Sequence, residues 1–267
     1  MPCTPAAPPF LQIRDAVVRR EGRPILEIDS LSIAEGESIC LLGPNGAGKS
    51  TFIQLITREV LPLHRDEAPV LFRGQERPLL TEVRQALGIV SSSMQKQISV
   101  HLPALEVVIG GLYGVLGIPR RVEVTDENHR QALETMEALG IADLANRDVM
   151  ILSTGQARRV LIARALVSNP SAVIFDEPCT GLDPEGMFYV RRCMRAVAQQ
   201  GRAVLLVSHY PEDIIPEIQR VLLLKNARIV ADGPKQQLLC DATISQLFDT
   251  PLQVRQQDGY YSLFGEY

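Results

Sequence analysis

The stretch from residue 39 to residue 51 carries the strongest chemical pattern in the chain. An apolar run at Ile39–Leu42 predicts a buried strand, and Gly43–Ser50 fits the pattern G-x-x-x-x-G-K-S without a mismatch. Glycines in such a loop let backbone N–H groups turn toward phosphate oxygens, and the helix that follows adds the positive end of its dipole. The stretch predicts a nucleoside triphosphate site, and its expected residues are Gly43, Pro44, Asn45, Gly46, Ala47, Gly48, Lys49, Ser50 and Thr51.

Two side chains at the end of this loop suit a triphosphate and its metal ion. Lys49 is expected to reach the β and γ phosphates. The Ser50 hydroxyl is a hard oxygen ligand of the kind that Mg²⁺ uses beside substrate phosphates. We therefore expect Mg²⁺ to bind together with the nucleotide.

Two adjacent carboxylates follow the apolar strand predicted at 172–175. Asp176 and Glu177 stand at its C-terminal end, which is where open α/β sheets bind ligands. Asp176 is expected to hold the Mg²⁺ shell. Glu177 is expected to orient the water that attacks the γ phosphate and to accept its proton.

A third pattern, Leu-Ser-Thr-Gly-Gln at 152–156, opens a helix that is predicted at 156–167. Ser153 is a favourable N-cap, and Gly155 lets a phosphate approach the backbone. This helix start is therefore a second candidate anion site in the same chain.

Composition and charge limit the classes of protein to which the chain can belong. A chain of 267 residues with 46% hydrophobic residues can bury a substantial core, as one large domain or two small ones. The net charge of −4 comes from interspersed acidic and basic residues, so nucleic acid is not expected as a partner. The cysteines show no metal-ligand spacing, which indicates reduced thiols in a cytoplasmic protein. They are Cys3, Cys40, Cys179, Cys193 and Cys240.

Neither the N-terminus nor the most apolar stretch resembles a membrane signal. Residues 1–10 contain four prolines and no Lys or Arg, which predicts a flexible leader and no secretory signal. The apolar stretch at 103–119 is too short for a bilayer span and contains Glu106. We therefore expect no segment that crosses a membrane.

Strand and helix patterns alternate around the motifs. Apolar runs at 11–18 and 25–33 predict an antiparallel edge ahead of the phosphate loop. From 94 to 150 the period becomes helical, with a glycine-rich helix predicted at 106–116, which indicates an inserted lobe. The predicted divisions are a flexible leader at 1–10, a nucleotide-binding core at 11–93 and 151–232, the helical lobe at 94–150, and a C-terminal helix with a polar tail at 233–267.

These motifs, in this order, resemble those of the ATPase domain of the ATP-binding cassette (ABC) family over residues 11–232. The resemblance implies an α/β fold, namely a phosphate-loop ATPase with a mainly parallel sheet, an antiparallel N-terminal β subdomain and an inserted α-helical lobe. It also implies ATP and Mg²⁺ as cofactors. The matching segments are Gly43–Thr51 as the Walker A loop, Leu152–Gln156 as the signature, Ala172–Glu177 as the Walker B strand, Gly181–Asp183 as the D-loop and His209 as the switch histidine.

The resemblance further implies that two such domains face each other head to tail. Ser153, Gly155 and Gln156 of one subunit would then complete the γ-phosphate site of the other, with Asp183 also at the nucleotide. His209 would hydrogen-bond the γ phosphate. The implied catalytic residues are Glu177, His209 and Lys49.

The chain departs from the family pattern at two positions. Arg20 stands where an aromatic residue usually stacks on adenine, and its guanidinium plane is expected to lie on the base. The alternative is an exposed arginine in a turn. Ser92 stands where the Q-loop glutamine is expected, with Gln95 and Gln97 a few residues later. Of these three, Gln95 is the candidate Mg²⁺ ligand.

One class of function is the ATP-hydrolysing, energy-coupling subunit of a membrane transporter. An importer is favoured because residues 244–261 are similar in style to those of importer ATPases for metal chelates or oxyanions. The expected partners are a transmembrane permease and a second ABC ATPase subunit, as a homodimer, and the expected place is the inner, cytoplasmic face of the cell membrane. The glycine-rich stretch at 110–117 is either a permease contact or ordinary helix packing.

The other class is a soluble ABC protein that acts on ribosomes or DNA. Such relatives generally carry two tandem cassettes or a coiled-coil insertion, together with basic surfaces. The single cassette, the lack of a long heptad run and the acidic balance favour transport.

Overall fold

The protein is built on one large sheet, which a computed structural model describes within residues 8–265. Its strands are β1 Leu11–Arg20, β2 Arg23–Ile33, β3 Ile39–Leu42, β4 Val70–Phe72, β5 Leu87–Ser91, β6 Ala172–Asp176, β7 Ala203–Ser208, β8 Arg220–Lys225 and β9 Arg228–Pro234, and β10 Leu252–Gln257 and β11 Tyr260–Gly265 form a separate hairpin. The helices are α1 Lys49–Ile56, α2 Leu80–Ala86, α3 Ser92–Gln97, α4 Ala104–Gly110, α5 Asp126–Ala138, α6 Thr154–Leu166, α7 Pro184–Gln199, α8 Lys235–Leu238 and α9 Asp241–Phe248.

The centre of the sheet is parallel. β3 lies between β8 and β7, and β6 and β5 extend the sheet beyond β7. Every residue of β3 and β7 is buried, as expected for strands with helices on both faces. Alternate residues of β3 divide between two apolar clusters: Ile39 and Leu41 pack with α1, whereas Cys40 and Leu42 pack with α7 and α9.

The outer part of the sheet is antiparallel. β1 pairs with β2 and β4, and β9 pairs with β8. The turn between β1 and β2 has φ of 50° at Glu21 and 79° at Gly22, the left-handed conformation that two-residue hairpins favour. The predicted α/β class is confirmed, with its mainly parallel sheet and antiparallel N-terminal β subdomain. The inserted helices α4 and α5 share a third apolar cluster with α6.

The predicted glycine-rich helix at 106–116 is shorter in the structure, where α4 ends at Gly110. A Cβ on Gly111 would lie 2.1 Å from the carbonyl oxygen of Arg164 in α6, so glycine allows the two backbones to touch. Gly114 then adopts a φ of 71°, which ends the helical run. These glycines therefore serve packing within the lobe.

The predicted flexible leader falls largely outside the described residues, which begin at Pro8. Phe10, its last residue, is 2% exposed and packs edge-on against the ring of Phe72, with the ring centroids 5.1 Å apart. The core therefore begins one residue earlier than the sequence indicates.

The structure also corrects the predicted polar tail, because β10 and β11 pair with each other after α9. Leu252, Val254 and Leu263 face the cluster of α7 and α9, and Tyr261 is buried in it. In the sequence these apolar residues are interrupted by glutamine, arginine, aspartate and serine, which made the segment look polar. The backbone N–H of Leu263 donates to Glu212 Oε1 at 2.8 Å, which ties the hairpin to the segment after β7.

Within residues 8–265, no helix combines the length and the apolar content that a bilayer crossing requires.

Substitutions of Tyr261 test how much the hairpin of β10 and β11 contributes to the stability of the core. Its side chain is 4% exposed, and its buried hydroxyl has no hydrogen-bond partner among the described residues. We expect Tyr261→Ala to lower the free energy of unfolding by about 3–5 kcal/mol, because the buried ring is lost. Tyr261→Phe should stay within about 1 kcal/mol of the wild type, because it removes only an unpaired hydroxyl. Urea unfolding measures both, and equal losses would contradict this account of the hydroxyl.

Candidate nucleotide-binding site

The parallel register places the ends of four strands at one edge of the sheet. Leu42 pairs with Ser208, and Asp176 pairs with Val207 on one side and with Ser91 on the other. The phosphate loop and the predicted catalytic groups follow directly after these strand ends. Because ligands of open α/β sheets bind at this carboxyl edge, the predicted residues meet where a nucleotide is expected.

Two glycines let the phosphate loop pack closely on its neighbours. A Cβ at Gly43 would lie 2.2 Å from the carbonyl oxygen of Leu224. Gly48 has a φ of 109°, and a Cβ there would lie 2.8 Å from the carbonyl oxygen of Ile25. α1 begins at the next residue, so its unpaired N–H groups open onto the loop.

The turn between β8 and β9 supports the phosphate loop from outside. The backbone N–H of Ala227 donates to the carbonyl oxygen of Ala47 at 3.0 Å. The carbonyl oxygen of Ala227 accepts from the N–H of Glu27 at 2.6 Å. This turn therefore ties the loop to the antiparallel edge of the sheet.

Lys49 is the buried cation of the site, with 6% of its surface exposed. Its Nζ donates to the carbonyl oxygens of Gly43 at 2.9 Å and Pro44 at 3.0 Å, and lies 3.8 Å from Glu177 Oε1. Burial lowers the pKa of Lys49, while the negative charges of Glu177 and Asp176 oppose that shift. The ammonium group is thus fixed at the centre of a loop that suits anionic phosphates.

Glu177 is held in an uncommon backbone conformation. Its φ is 46°, in the left-handed region, and its N–H donates to the carbonyl oxygen of Val207 at 2.8 Å. Its Oε1 also lies 3.1 Å from Nδ1 of His209. The carboxylate therefore contacts both the lysine of the phosphate loop and the predicted switch histidine.

Ser91 is a site residue that sequence reasoning missed. Its Oγ donates to Asp176 Oδ2 at 3.0 Å, because β5 and β6 pair in register. Ser92, at the expected Q-loop position, begins α3 instead. The sequence carried part of the signal for this contact, because Ser91 ends one predicted strand and Asp176 follows another. It does not show that these two strands are neighbours in the sheet.

The oxygen groups at this edge fit Mg²⁺. Burial raises the pKa of Asp176, whereas the hydrogen bond from Ser91 and the charges of Lys49 and Arg158 act in the opposite direction, and Glu177 adds to the rise. A carboxylate and the Ser50 hydroxyl are hard ligands, and Mg²⁺ needs few of them because phosphates and waters complete its shell. Accordingly, residues 8–265 contain no cluster of three or more His, Cys, Asp or Glu side chains that could hold a metal alone.

The signature residues form an exposed helix start. Ser153 Oγ accepts from the N–H of Gln156 at 3.2 Å, and Gln156 Oε1 accepts from the N–H of Ser153 at 3.1 Å, which caps α6 reciprocally. An added Cβ at Gly155 would meet no atom within 4 Å. Across the described chain, no hydrogen bond joins these residues to Lys49 or Glu177.

Asp183 caps α7. Its Oδ1 accepts from the N–H of Gly186 at 2.8 Å, and Pro184 occupies the first helical position. The exposed carboxylate therefore has a structural role at the helix start, beside any contact with a nucleotide.

Two predicted residues are not brought to the site by contacts within the described chain. Arg20 is exposed at the tip of the β1–β2 hairpin, opposite Arg23, and its side chain forms no hydrogen bond or ion pair within the described chain. Gln95 is half-buried on α3, and its side chain bonds neither Ser50 nor Asp176. Their roles stay predictions.

A phosphate loop and paired carboxylates at the carboxyl edge of a parallel sheet define a phosphate-loop ATPase. The family profile described as ABC transporter matches residues 26–180. The chain belongs to the ABC transporter family, as one of its ATP-binding, ATP-hydrolysing domains.

Two relatives match over most of their length. The chain is 30% identical over 247 residues to YlmA, an uncharacterized ABC transporter ATP-binding protein of Bacillus subtilis, covering 92% of this chain and 93% of that protein. It is 34% identical over 229 residues to PhnC 2, a phosphonates import ATP-binding protein of Nostoc sp., covering 83% and 90%. An ABC transporter assigned to the metal-chelate type, solved facing inward, shares the fold with a TM-score of 0.78, 22% identity, and coverage of 97% and 98%.

Proposed function

We propose that this chain is the Mg-ATP-hydrolysing, energy-coupling subunit of a membrane importer and that it works as a head-to-tail dimer. The observation that carries the proposal is the contact of Glu177 Oε1 with both Lys49 and His209, while no hydrogen bond of the described chain joins the signature residues to these three side chains. One subunit thus provides the base, the phosphate loop and the histidine. A second subunit then supplies the missing signature.

Within one subunit, each group has a distinct role toward ATP. Lys49 neutralises the β and γ phosphates, and the N–H groups of the loop at 43–51 bind their oxygens. Glu177 orients the attacking water and accepts its proton. His209 hydrogen-bonds the γ phosphate and, through its contact with Glu177, fixes the direction of that carboxylate. Arg20 lies against the adenine.

The Mg²⁺ ligands in this proposal are Ser50 and Asp176, with Gln95 as a further one. When bound, Mg²⁺ neutralises charge on the phosphates. Ser91 orients Asp176 by donating to Oδ2, which leaves the other carboxylate oxygen for the ion.

The proposed dimer is inferred from the surface position of the first turn of α6, which carries the signature. The N-terminus of α6 presents the positive end of the helix dipole, with Ser153, Gly155 and Gln156 at the surface. A γ phosphate bound to a second subunit is the anion that fits this start, with Asp183 at the same interface. The second ATPase subunit is a further copy of this chain.

Relatives support transport and import. PhnC 2, at 34% identity, is a phosphonates import protein. The permease partner docks on the helical lobe formed by α4 and α5, and the ATPase is held by that partner on the inner face of the cell membrane. The energy of hydrolysis reaches the permease through this lobe.

Replacing Glu177 by Gln tests the assignment of the base. The amide can hold a water molecule but cannot take its proton, so turnover should fall by roughly 10²- to 10⁴-fold while Mg-ATP still binds. Phosphate release and calorimetry measure the two quantities. Glu134→Gln, an exposed carboxylate on α5, is the matched control and should keep wild-type turnover. If Glu177→Gln stays within a few-fold of wild type, Glu177 is not the base.

Mixing two inactive variants tests the composite site. Lys49→Ala removes the phosphate-loop cation, and Ser153→Arg blocks the signature. In a mixed dimer both defects fall on one site and leave the other intact, so ATPase activity should return when the two proteins are combined. Full activity of Ser153→Arg alone would exclude a role of the signature in trans.

Affinity purification from detergent-solubilised membranes tests the coupling to transport. We expect the chain to co-purify with an integral membrane protein, and substitutions at exposed residues of α5 to weaken that association without changing the ATPase rate. Co-purification with ribosomes or nucleic acid, and with no membrane protein, would favour the soluble class of ABC protein instead.

A further inference from the structure

Arg158 is the largest side chain that the fold buries almost completely, with 1% of its surface exposed. It lies on α6, five positions after the N-cap Ser153. Burying a guanidinium group is costly unless strong acceptors surround it. Its hydrogen-bond partners therefore indicate the structural role of this arginine.

The guanidinium group binds the backbone of the turn that carries Glu177. Arg158 Nη1 donates to the carbonyl oxygen of Pro178 at 2.6 Å and lies 3.5 Å from the carbonyl oxygen of Glu177. The Glu177 carbonyl also accepts from the N–H of Thr180 at 3.2 Å, and its N–H is bound to Val207. Arg158 thus binds the carbonyl groups of this turn, whereas strand β7 binds the N–H of Glu177.

These carbonyl contacts are the main polar contacts of Arg158. No carboxylate of the described chain lies within ion-pair distance of it, and its Nε has no hydrogen-bond partner there. The next residue, Arg159, behaves differently, because it pairs with Glu185 at 3.0 Å and lies over the ring of Tyr189. The charge of Arg158 acts on Asp176 from beyond ion-pair distance, whereas its direct hydrogen bonds go to two backbone carbonyl groups.

The turn needs such support because of its conformation. Glu177 has a φ of 46°, which costs about 1–3 kcal/mol for a residue with a side chain. Without a constraint, the turn would relax and move the carboxylate away from His209 and Lys49. A donor fixed on a helix holds the carbonyl side of the turn in place.

We propose that Arg158 is a positioning residue through which the signature helix fixes the direction of the Glu177 carboxylate. Ser153 and Arg158 belong to one continuous helix and are about 7–8 Å apart along its axis. The helix whose first turn is offered to the partner's triphosphate therefore also holds the base of its own subunit. This inference rests on the proposed role of Glu177 as the base.

Arg158→Met tests the inference, since it keeps an unbranched apolar side chain in the buried position and removes every donor. We expect kcat to fall by about 10- to 100-fold, because a small misplacement of the base is costly. The Kd for Mg-ATP, measured by calorimetry, should change by less than about 3-fold, because the phosphate loop is untouched. Arg158→Lys restores one charged donor and should recover most of kcat.

Arg164→Met is the matched control. Arg164 is also buried on α6 and donates to a carbonyl oxygen, that of Val115 at 2.9 Å, but this partner belongs to the helical lobe and not to the turn of Glu177. Its loss should lower thermal stability and leave kcat unchanged. Equal losses of kcat in Arg158→Met and Arg164→Met would show that both act through the stability of the helix, which overturns the proposal.

A double-mutant cycle with Glu177→Gln separates positioning from a general structural effect. If Arg158 acts through Glu177, Arg158→Met should not further slow the residual turnover of Glu177→Gln. The same fold-loss in both backgrounds would overturn the inference, as would wild-type kcat in Arg158→Met alone. If Arg158→Met fails to fold, Arg158→Lys and Arg158→Gln are each combined with Glu177→Gln in the same double-mutant cycle. Wild-type turnover of Glu177→Gln would instead refute the proposed base, so the two failures are distinguishable.

Discussion

Parallel pairing in register of β3, β7, β6 and β5 is the constraint on which the site depends. Each functional group is fixed only relative to the end of its own strand, so the backbone hydrogen bonds between strands set the distances between groups. The pairing of Leu42 with Ser208 and of Asp176 with Val207 brings these strand ends together. A slip by one residue would move the carboxylates and turn every apolar side chain of a strand to the opposite face.

The site also concentrates charge where water is scarce. Lys49 and Arg158 are buried near Asp176 and Glu177, and none of these charges would be stable there alone. Much of the compensation comes from backbone carbonyl groups, which accept from both cations. Such groups cannot titrate, so the field that they create stays fixed while phosphate charge arrives and leaves.

Sequence reasoning found the parts of the site that are local in the chain. A phosphate loop, a helix cap or a carboxylate at a strand end depends on residues a few positions apart, so its pattern is visible. Ser91 and Arg158 act on residues that are distant in sequence, and one sequence does not show which elements are neighbours. The end of α4 at Gly110 likewise depends on the approach of another helix. The C-terminal hairpin was missed because polar residues separate its few apolar ones.

The central position of β3 in the sheet has a consequence for folding while the chain is being synthesised. Both neighbours of β3 come much later in the chain, and the hydrogen bond from the N–H of Val204 to Ser38 Oγ spans 166 residues. At about 5–20 residues per second, a ribosome needs roughly 9–37 s after β3 to supply both missing strands. During that time the phosphate loop has neither Leu224 nor Ala227 to pack against. The phosphate loop therefore gains its full backbone support only after β8 and the turn that follows it have been made.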